Sequence, residues 1–196
     1  MRTEASKKGR LEVICGSMFS GKSEELILRL RRAQFAKQNA VVFKHSLDDR
    51  VARSYITTHN GSKFEAIPIE HPSTILSVVD KDTEVIAIDE VQFFNNDIIN
   101  IVCQMVDEGR RVIVAGLDLD FRGVPFGPIP TLMAVADQTT KLKAICMVCG
   151  KDAHFSQRLI NGEPANYEDP IVIIGAENCY QARCRSCHQI NRIHIF

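Results

Sequence analysis

The alternation of apolar and polar residues along the chain predicts short buried strands separated by amphipathic helices. Apolar runs typical of buried strands lie at residues 10–16, 40–45, 65–70, 83–90 and 110–118. Helical apolar periodicity marks residues 23–37, 72–80, 96–109 and 131–138. Continuous apolar strands joined by helices are typical of a parallel sheet with both faces covered. The pattern therefore predicts an α/β fold.

The pattern changes near residue 144, where the apolar runs give way to a polar, loop-rich segment with paired cysteines. We expect a domain boundary at this point. An α/β domain is predicted for residues 1–143, and a smaller domain for residues 144–196.

Composition narrows the classes of function. The 24 basic and 24 acidic residues cancel, which argues against a chain held mainly by nucleic-acid phosphates or by an anionic membrane surface. No apolar run approaches the roughly 20 residues of a membrane helix, and the polar first residues do not resemble a secretory signal. The 7 cysteines are odd in number and clustered, which disfavours a disulfide framework. We expect a reducing compartment, the cytoplasm, with neither nucleic acid nor membrane as a partner.

The stretch GSMFSGKS at residues 16–23 has the spacing of a phosphate-binding loop. It follows a predicted strand and opens a predicted helix, which is the context that this motif requires. Gly16 and Gly21 allow backbone N–H groups to turn toward a polyphosphate. Lys22 is expected to reach the terminal phosphates, and the Ser23 hydroxyl to bind Mg2+. The α/β domain is therefore predicted to bind a nucleoside triphosphate.

A second half of this site is predicted where the strand VIAID ends. Asp89 is expected to serve Mg2+ from the end of a neighbouring strand. Glu90 is a candidate general base for the group that attacks the terminal phosphate, although it could instead cap the following helix or form a surface pair. A water acceptor would make the protein an ATPase or GTPase, and a hydroxyl acceptor would make it a kinase. This motif alone does not decide between them.

Two C-x2-C pairs near the end of the chain predict a metal site. Cys146 and Cys149, with Cys184 and Cys187, supply four thiolates for tetrahedral Zn2+. Four protein ligands leave no open position, so the zinc is expected to be structural. His188 is an alternative fourth ligand in place of Cys187.

Other residues receive simpler interpretations. Cys15 and Cys103 are predicted to be small core residues, and Phe93 and Phe94 are predicted to pack in the core. Phe121 lies in a loop broken by Gly and Pro after a strand end, which favours a ligand-binding role. The following basic residues are interpreted as a scattered, solvated surface: Lys141, Lys143, Lys151, Arg158, Arg183, Arg185 and Arg192.

The motifs together resemble the type II thymidine kinases, a family with a RecA-like P-loop fold and a zinc-bound lasso. The resemblance rests on GSMFSGKS, DDR at 48–50, DEVQFF at 89–94, GLDLDFRGVPFG at 116–127, CMVC, IVIIGAENCY at 171–180 and CRSC, in that order. It implies that Glu90 takes the proton from a nucleoside 5'-hydroxyl and that Phe121 stacks on the base. Tyr180 is implied on the sugar side, and Arg158 near the phosphates.

The resemblance also implies two larger sets of binding residues. ATP is expected to contact Gly16, Ser17, Met18, Phe19, Ser20, Gly21, Lys22, Ser23, Asp48, Arg50, Asp89 and Gln92. The nucleoside is expected to contact Met18, Leu117, Phe121, Phe126, Ile171, Val172, Ile173, Ile174, Gly175 and Tyr180.

The implied reaction transfers the γ-phosphate of ATP to thymidine, and to deoxyuridine, in pyrimidine salvage for DNA synthesis. The resemblance further implies a homotetramer that thymidine triphosphate inhibits. Two alternatives stay open at this point. One is a P-loop ATPase whose zinc domain grips nucleic acid, and the other is a kinase for a different nucleoside.

Overall fold

The computed structural model describes residues 8–47, 55–57, 63–172 and 179–191. In chain order the elements are β1 (Arg10–Gly16), α1 (Lys22–Phe35), β2 (Ala40–His45), β3 (Tyr55–Thr57), β4 (Lys63–Glu65), β5 (Ile67–Ile69), α2 (Thr74–Val78), β6 (Val85–Asp89), a 3-10 turn (Val91–Phe93), α3 (Asp97–Asp107), β7 (Arg111–Gly116), α4 (Ile129–Val135), β8 (Gln138–Leu142), β9 (Ala144–Ile145), β10 (Asp152–Ala153), β11 (Phe155–Ile160), β12 (Glu163–Pro164) and β13 (Tyr180–Arg183).

The central sheet has the strand order β5-β2-β6-β7-β1-β8, and every neighbouring pair is parallel. This confirms the predicted α/β fold. Because the strands are parallel, their carboxyl ends share one edge of the sheet, which is where ligand sites of such folds lie. The expectation that the Asp89 strand neighbours the Gly16 strand is wrong, because β7 lies between β6 and β1.

Helices cover both faces of this sheet. On one face, α1 packs Leu26, Ile27 and Leu30 against alternate strand residues that include Ile14 and Ile113. The opposite face is covered by α3 and α4, and its core cluster comprises Leu11, Val13, Cys15, Phe43, Ile69, Ile75, Ile86, Ile88, Val91, Phe94, Ile98, Ile101, Val102, Met105, Val112, Val114, Ile129 and Leu132. Two buried faces explain why the strands appear in the sequence as continuous apolar runs.

A buried ion pair also holds α1 against the sheet. Glu12 points from β1 toward α1, where its Oε2 accepts a hydrogen bond from Arg29 Nη1 at 2.8 Å. Its Oε1 accepts from Arg111 Nε on the adjacent strand, also at 2.8 Å. Arg10 Nε also lies 3.4 Å from Glu12 Oε1. Three cationic partners thus offset the desolvation cost of the buried carboxylate, which would be strongly destabilising if the charge were unpaired.

The segment after β8, residues 144–172 and 179–191, forms what we call the cysteine module. It contains the β9–β10 hairpin and a small antiparallel sheet in the order β12-β11-β13. Its buried apolar cluster contains only alanine and cysteine: Ala144, Cys146, Ala153, Ala182 and Cys184. So little apolar surface stabilises a fold weakly, as in small domains that need a metal or disulfides. The predicted division of the chain after residue 143 falls between β8 and β9 and stays a prediction.

The burial of Cys15 and Cys103 and the length of the helices bear on two further sequence expectations. Cys15 is buried as predicted, whereas Cys103 is partly exposed on α3, so the prediction that it is a core residue is wrong. None of the helices in the described ranges is long and apolar enough to cross a membrane.

Candidate active site

The phosphate-binding loop connects β1 to α1 at the carboxyl edge of the sheet. Its two glycines have positive φ angles, +143° at Gly16 and +84° at Gly21. A Cβ atom at Gly16 would lie 2.5 Å from the Leu142 carbonyl oxygen, so a side chain there would force the backbone to shift. Gly21 directly precedes α1, and its left-handed backbone turns the chain into the helix.

Lys22 and Ser23 open α1, and Ser23 faces the polar end of β6. The Nζ atom of Lys22 donates to the Ser17 carbonyl oxygen across the loop at 2.9 Å. The Ser23 hydroxyl donates to Asp89 Oδ2 at 3.4 Å. The fold therefore brings Ser23 of α1 close to Asp89 of β6, although β6 is not adjacent to β1, the strand that precedes α1.

Glu90 leaves the line of β6 through a left-handed backbone conformation with φ of +55°. Such a conformation costs about 1–3 kcal/mol in a residue other than glycine, and strained residues of this kind cluster at functional sites. The side chain is nearly buried, at 9 % exposed, and its Oε2 accepts a hydrogen bond from Gln92 Nε2. The neighbouring Asp89 Oδ1 accepts from the Glu90 N–H at 2.9 Å. The two carboxylates thus have different partners and are suited to different roles.

Gln92 holds the Glu90 carboxylate in place. Its Oε1 accepts from the Leu117 N–H at 3.0 Å. Because a backbone N–H only donates and a carboxylate only accepts, the orientation of this amide is determined. A Cβ atom added to Gly116 would lie 2.5 Å from Gln92 Oε1. One added to Gly127 would lie 2.3 Å from the Gln92 carbonyl oxygen. Both glycines therefore permit the close approach that secures Gln92.

The loop between β7 and α4, which we call the Phe121 loop, is organised by Asp120. The sequence analysis did not identify Asp120. Its Oδ1 accepts from the N–H groups of Arg122 at 2.9 Å and Val124 at 3.0 Å. Its Oδ2 accepts from Arg122 Nε at 2.8 Å. An acidic side chain that bonds its own following N–H groups is a common turn device. This turn buries Phe121, which is 3 % exposed.

Arg158 covers one face of the Phe121 ring. Its guanidinium carbon lies 3.5 Å from the ring centroid, and its Nη1 donates to the carbonyl oxygens of Pro170 and Ile171. The side chain is fully buried, so the interpretation of Arg158 as solvated surface is wrong. A planar guanidinium can stack on an aromatic ring while it donates in its own plane, which permits this burial.

Leu117 and Phe126 are half-buried on the segment that carries Phe121. The Phe126 ring meets the Phe93 ring edge-on, with centroids 5.9 Å apart. Phe94 lies in the core as predicted, whereas Phe93 is partly exposed. The prediction of core packing is therefore wrong for Phe93, because the 3-10 turn after Glu90 directs the two rings differently.

The predicted nucleoside segment of the cysteine module is described only in part. Ile171 and Val172 are exposed, and Tyr180 pairs with Arg158 between β13 and β11. Five predicted site residues lie outside the described ranges: Asp48, Arg50, Ile173, Ile174 and Gly175.

Strand β11 also contacts the phosphate-binding loop. The Met18 N–H donates to Ser156 Oγ at 2.9 Å, and Ser156 is buried. The two residues are 138 positions apart, and no motif in the sequence links Ser156 to the phosphate-binding loop. The sequence therefore did not indicate this contact. The cysteine module is thus bonded directly to the loop that opens α1.

The four predicted zinc ligands converge on one point. The Sγ atoms of Cys146, Cys149, Cys184 and Cys187 all lie within 4.8 Å of one another. Tetrahedral Zn2+ with Zn–S bonds of about 2.3 Å places its sulfur atoms roughly 3.8 Å apart, so the four thiols fit zinc. The alternative ligand His188 is engaged elsewhere, because its Nε2 lies 2.9 Å from the Phe121 carbonyl oxygen.

Hydrogen bonds among the cysteine thiols and with the backbone shift the pKa values of Cys146 and Cys187 in opposite directions. Burial raises the pKa of Cys146, but hydrogen bonds from backbone N–H groups of the two C-x2-C turns outweigh burial and lower this pKa to about 6. Hydrogen bonding with Cys184 is the main cause that raises the pKa of Cys187 to about 12. The first thiolate therefore forms readily and the last resists. A divalent metal ion supplies the positive charge that lets all four ionise.

The fold and this site define a class of protein. A parallel α/β sheet with a phosphate-binding loop after β1, and a carboxylate from β6 beside it, is typical of P-loop nucleotide-binding proteins. A family model described as thymidine kinase matches residues 9–188, which span the sheet and the cysteine cluster. The chain belongs to the thymidine kinase family and is a phosphotransferase. The match confirms the resemblance identified from the motifs.

Proposed function

We propose that the protein transfers the γ-phosphate of ATP to the 5'-hydroxyl of thymidine, with deoxyuridine as a second substrate. The bond between the γ-phosphorus and the 5'-oxygen forms, the bond to the bridging oxygen of ADP breaks, and the hydroxyl proton leaves to a base. The observation that carries this proposal is the Glu90 carboxylate, held by Gln92 beside Asp89 and the phosphate-binding loop. Membership of the thymidine kinase family supports the choice of acceptor.

The phosphates of ATP are assigned to the loop of residues 16–23. The hydroxyls of Ser17 and Ser20 are buried and have no hydrogen-bond partner in the part of the chain that the structure describes, as expected of a loop that contacts an anion. Lys22 neutralises the terminal phosphates by moving its Nζ from the Ser17 carbonyl oxygen. Ser23 and Asp89 provide hard oxygen ligands of the kind that Mg2+ prefers. When bound, Mg2+ supplies charge neutralisation to the transferring phosphate.

Glu90 is proposed to accept the proton of the 5'-hydroxyl. A general base must be within hydrogen-bond reach of its proton and in a determined orientation. The hydrogen bond from Gln92 gives Glu90 that orientation. The contacts of Gln92 with Glu90 and Leu117 favour a positioning role over the phosphate contact expected from the sequence.

The nucleoside is assigned to the space between the Phe121 loop and the cysteine module. Arg158 covers one face of Phe121 and the ring is only 3 % exposed. We therefore propose that the loop and the module separate enough on binding for the base to stack on the other face. Met18, Leu117 and Phe126 provide an apolar wall, with Tyr180 on the sugar side. Backbone N–H and C=O groups of Ile171, Ile173 and Gly175 are proposed to form hydrogen bonds with the edge of the base. Such groups select one base, because a base that leaves them unpaired binds much more weakly.

The contact between Ser156 and Met18 yields a prediction. Ser156→Ala removes the acceptor of a partly buried N–H in the phosphate-binding loop, and a typical hydrogen bond contributes about 0.5–1.5 kcal/mol. We expect a several-fold rise in the dissociation constant of ATP, measured by calorimetric titration. Ser156→Thr keeps a hydroxyl and is expected to lie closer to the wild type. The control is Ser73→Ala, an exposed serine before α2 whose side chain makes no capping hydrogen bond. Unchanged ATP affinity and melting temperature in Ser156→Ala would contradict this prediction.

The proposed reaction is tested with γ-labelled ATP, Mg2+ and each of the four deoxynucleosides, deoxyuridine, or single-stranded DNA. We expect label in thymidine monophosphate and deoxyuridine monophosphate. Label that appears in a purine or cytidine nucleotide instead would identify a different nucleoside kinase. Label released only as inorganic phosphate, and faster with DNA, would identify an ATPase and reject the proposal.

Three further properties are inferred from the family similarity. We propose a homotetramer, inhibition by thymidine triphosphate, and a place in cytoplasmic pyrimidine salvage. Light scattering tests the first, and a titration of the kinase assay with thymidine triphosphate tests the second.

A further inference from the structure

His188 lies at the junction between the cysteine module and the Phe121 loop. Its backbone N–H donates to the Cys184 carbonyl oxygen at 2.9 Å, within the second C-x2-C turn. Its ring stacks on the Phe155 ring, with centroids 4.7 Å apart and an interplanar angle of 22°. Its Nε2 lies 2.9 Å from the Phe121 carbonyl oxygen. The residue therefore contacts the metal-binding turn through its backbone and the loop through its side chain.

The contact with Phe121 is directional. A carbonyl oxygen can only accept, so Nε2 carries the proton and donates. The Phe121 loop also rests on the same aromatic surface, because a Cβ atom at Gly123 would lie 3.1 Å from Phe155 Cε1. The rings of Phe155 and His188 thus pack against the loop at Gly123. Asp120 shapes the loop internally, and the imidazole hydrogen bond holds its backbone at Phe121 to the cysteine module.

We propose that His188 is a positioning residue for the nucleoside, which sets the place of Phe121 and connects its position to the metal-binding turn. This inference rests on the proposed stacking of the base on Phe121. A ring displaced with its backbone presents a poorer stacking surface, whereas the phosphate-binding loop has its own contact with Ser156. Loss of the His188 hydrogen bond should therefore weaken binding of the nucleoside and not of ATP.

Two substitutions separate the two contacts of the side chain. His188→Phe keeps a ring that can stack on Phe155 but loses the donor. His188→Gln loses the ring but keeps an N–H donor in a similar place. The matched control is His154→Gln, which changes a partly exposed histidine of the same module.

We expect His188→Phe to raise the KM for thymidine roughly threefold to tenfold, which is the loss of affinity typical of removing one hydrogen bond. The KM for ATP and the zinc content per chain are expected to stay at the wild-type values. His188→Gln should recover part of the loss, and His154→Gln should match the wild type. An unchanged thymidine KM in His188→Phe, an equal rise in both KM values, or a loss of zinc would overturn the proposal.

A second measurement does not depend on the reaction. Hydrogen exchange in a peptide that covers residues 117–127 should be faster in His188→Phe than in the wild type, and intermediate in His188→Gln. If the wild-type protein phosphorylates no nucleoside, the proposed function fails, and the exchange rates alone decide whether His188 positions the loop. Equal exchange in all variants would refute the role of His188 while leaving the proposed function intact.

Discussion

Glu90→Gln is expected to lower the rate of phosphoryl transfer to thymidine by roughly a hundredfold to ten-thousandfold, the range for loss of a general base. The amide has the shape of the carboxylate and can still accept from Gln92, but it cannot take up the hydroxyl proton. The strain of the left-handed backbone at position 90, with φ of +55°, is the same for glutamate and glutamine. The dissociation constant of ATP should change little, since the phosphates are assigned to the loop of residues 16–23.

The measurement combines single-turnover transfer with calorimetric titration of ATP. Glu70→Gln is the control, because it removes an exposed carboxylate that directly follows β5 at the same edge of the sheet. It should retain the wild-type rate. Transfer by Glu90→Gln at a rate near that of the wild type would exclude Glu90 as the base and would direct attention to Asp89.

Cys184→Ser is expected to abolish tight zinc binding and to unfold the cysteine module. Serine is a poor substitute for a thiolate ligand, and the binding free energy of a structural zinc is folding free energy. Among the described residues, the apolar cluster of the module holds only alanine and cysteine, so little apolar burial stabilises the module without the metal. Because β11 and His188 contact the two proposed substrate sites, transfer should fall at least about a hundredfold, beyond the loss of one hydrogen bond.

Elemental analysis and hydrogen exchange test this expectation together. We expect one zinc per chain in the wild type and much less in Cys184→Ser, with fast exchange confined to the cysteine module. Strands β1, β6 and β7 should stay protected, because their core clusters do not depend on the module. Cys179→Ser lies outside the cluster and serves as the control. A metal-free Cys184→Ser protein with wild-type protection and activity would show that the module needs no metal.

Much of the fold could be predicted because it is encoded locally. The apolar runs and helical periodicities predicted five of the six strands of the sheet and the helices that cover it, with bounds that differ by a few residues. The 23–37 helix, for example, is observed as Lys22–Phe35. The edge strand β8 was missed, because its sequence QTTKL has no apolar run. Strand order was not predictable in the same way. The expectation that β6 neighbours β1 failed, because an apolar run does not indicate which other run lies beside it.

The candidate site likewise contains residues that local motifs predicted and residues that only the fold brings together. Gly16, Gly21, Lys22 and the paired cysteines carry spacing motifs whose chemistry follows from residue type and separation. Arg158 shows the limit of such reasoning. In the sequence it is one of several scattered basic residues, and only the aromatic face of Phe121 and the carbonyl oxygens of residues 170–171 explain its burial.

The sequence by itself determined the α/β class, the phosphate-binding loop, the carboxylates at the end of β6 and the four cysteines. These features depend on residues that are close together in the chain or on a repeated spacing. Only the tertiary structure decided that Gln92 orients Glu90, that Ser156 bonds Met18, and that His188 meets Phe121 instead of joining the cysteine cluster. Apart from the short-range pair of Gln92 and Glu90, these contacts join residues from distant parts of the chain. Their partners are selected by packing, which no local pattern encodes.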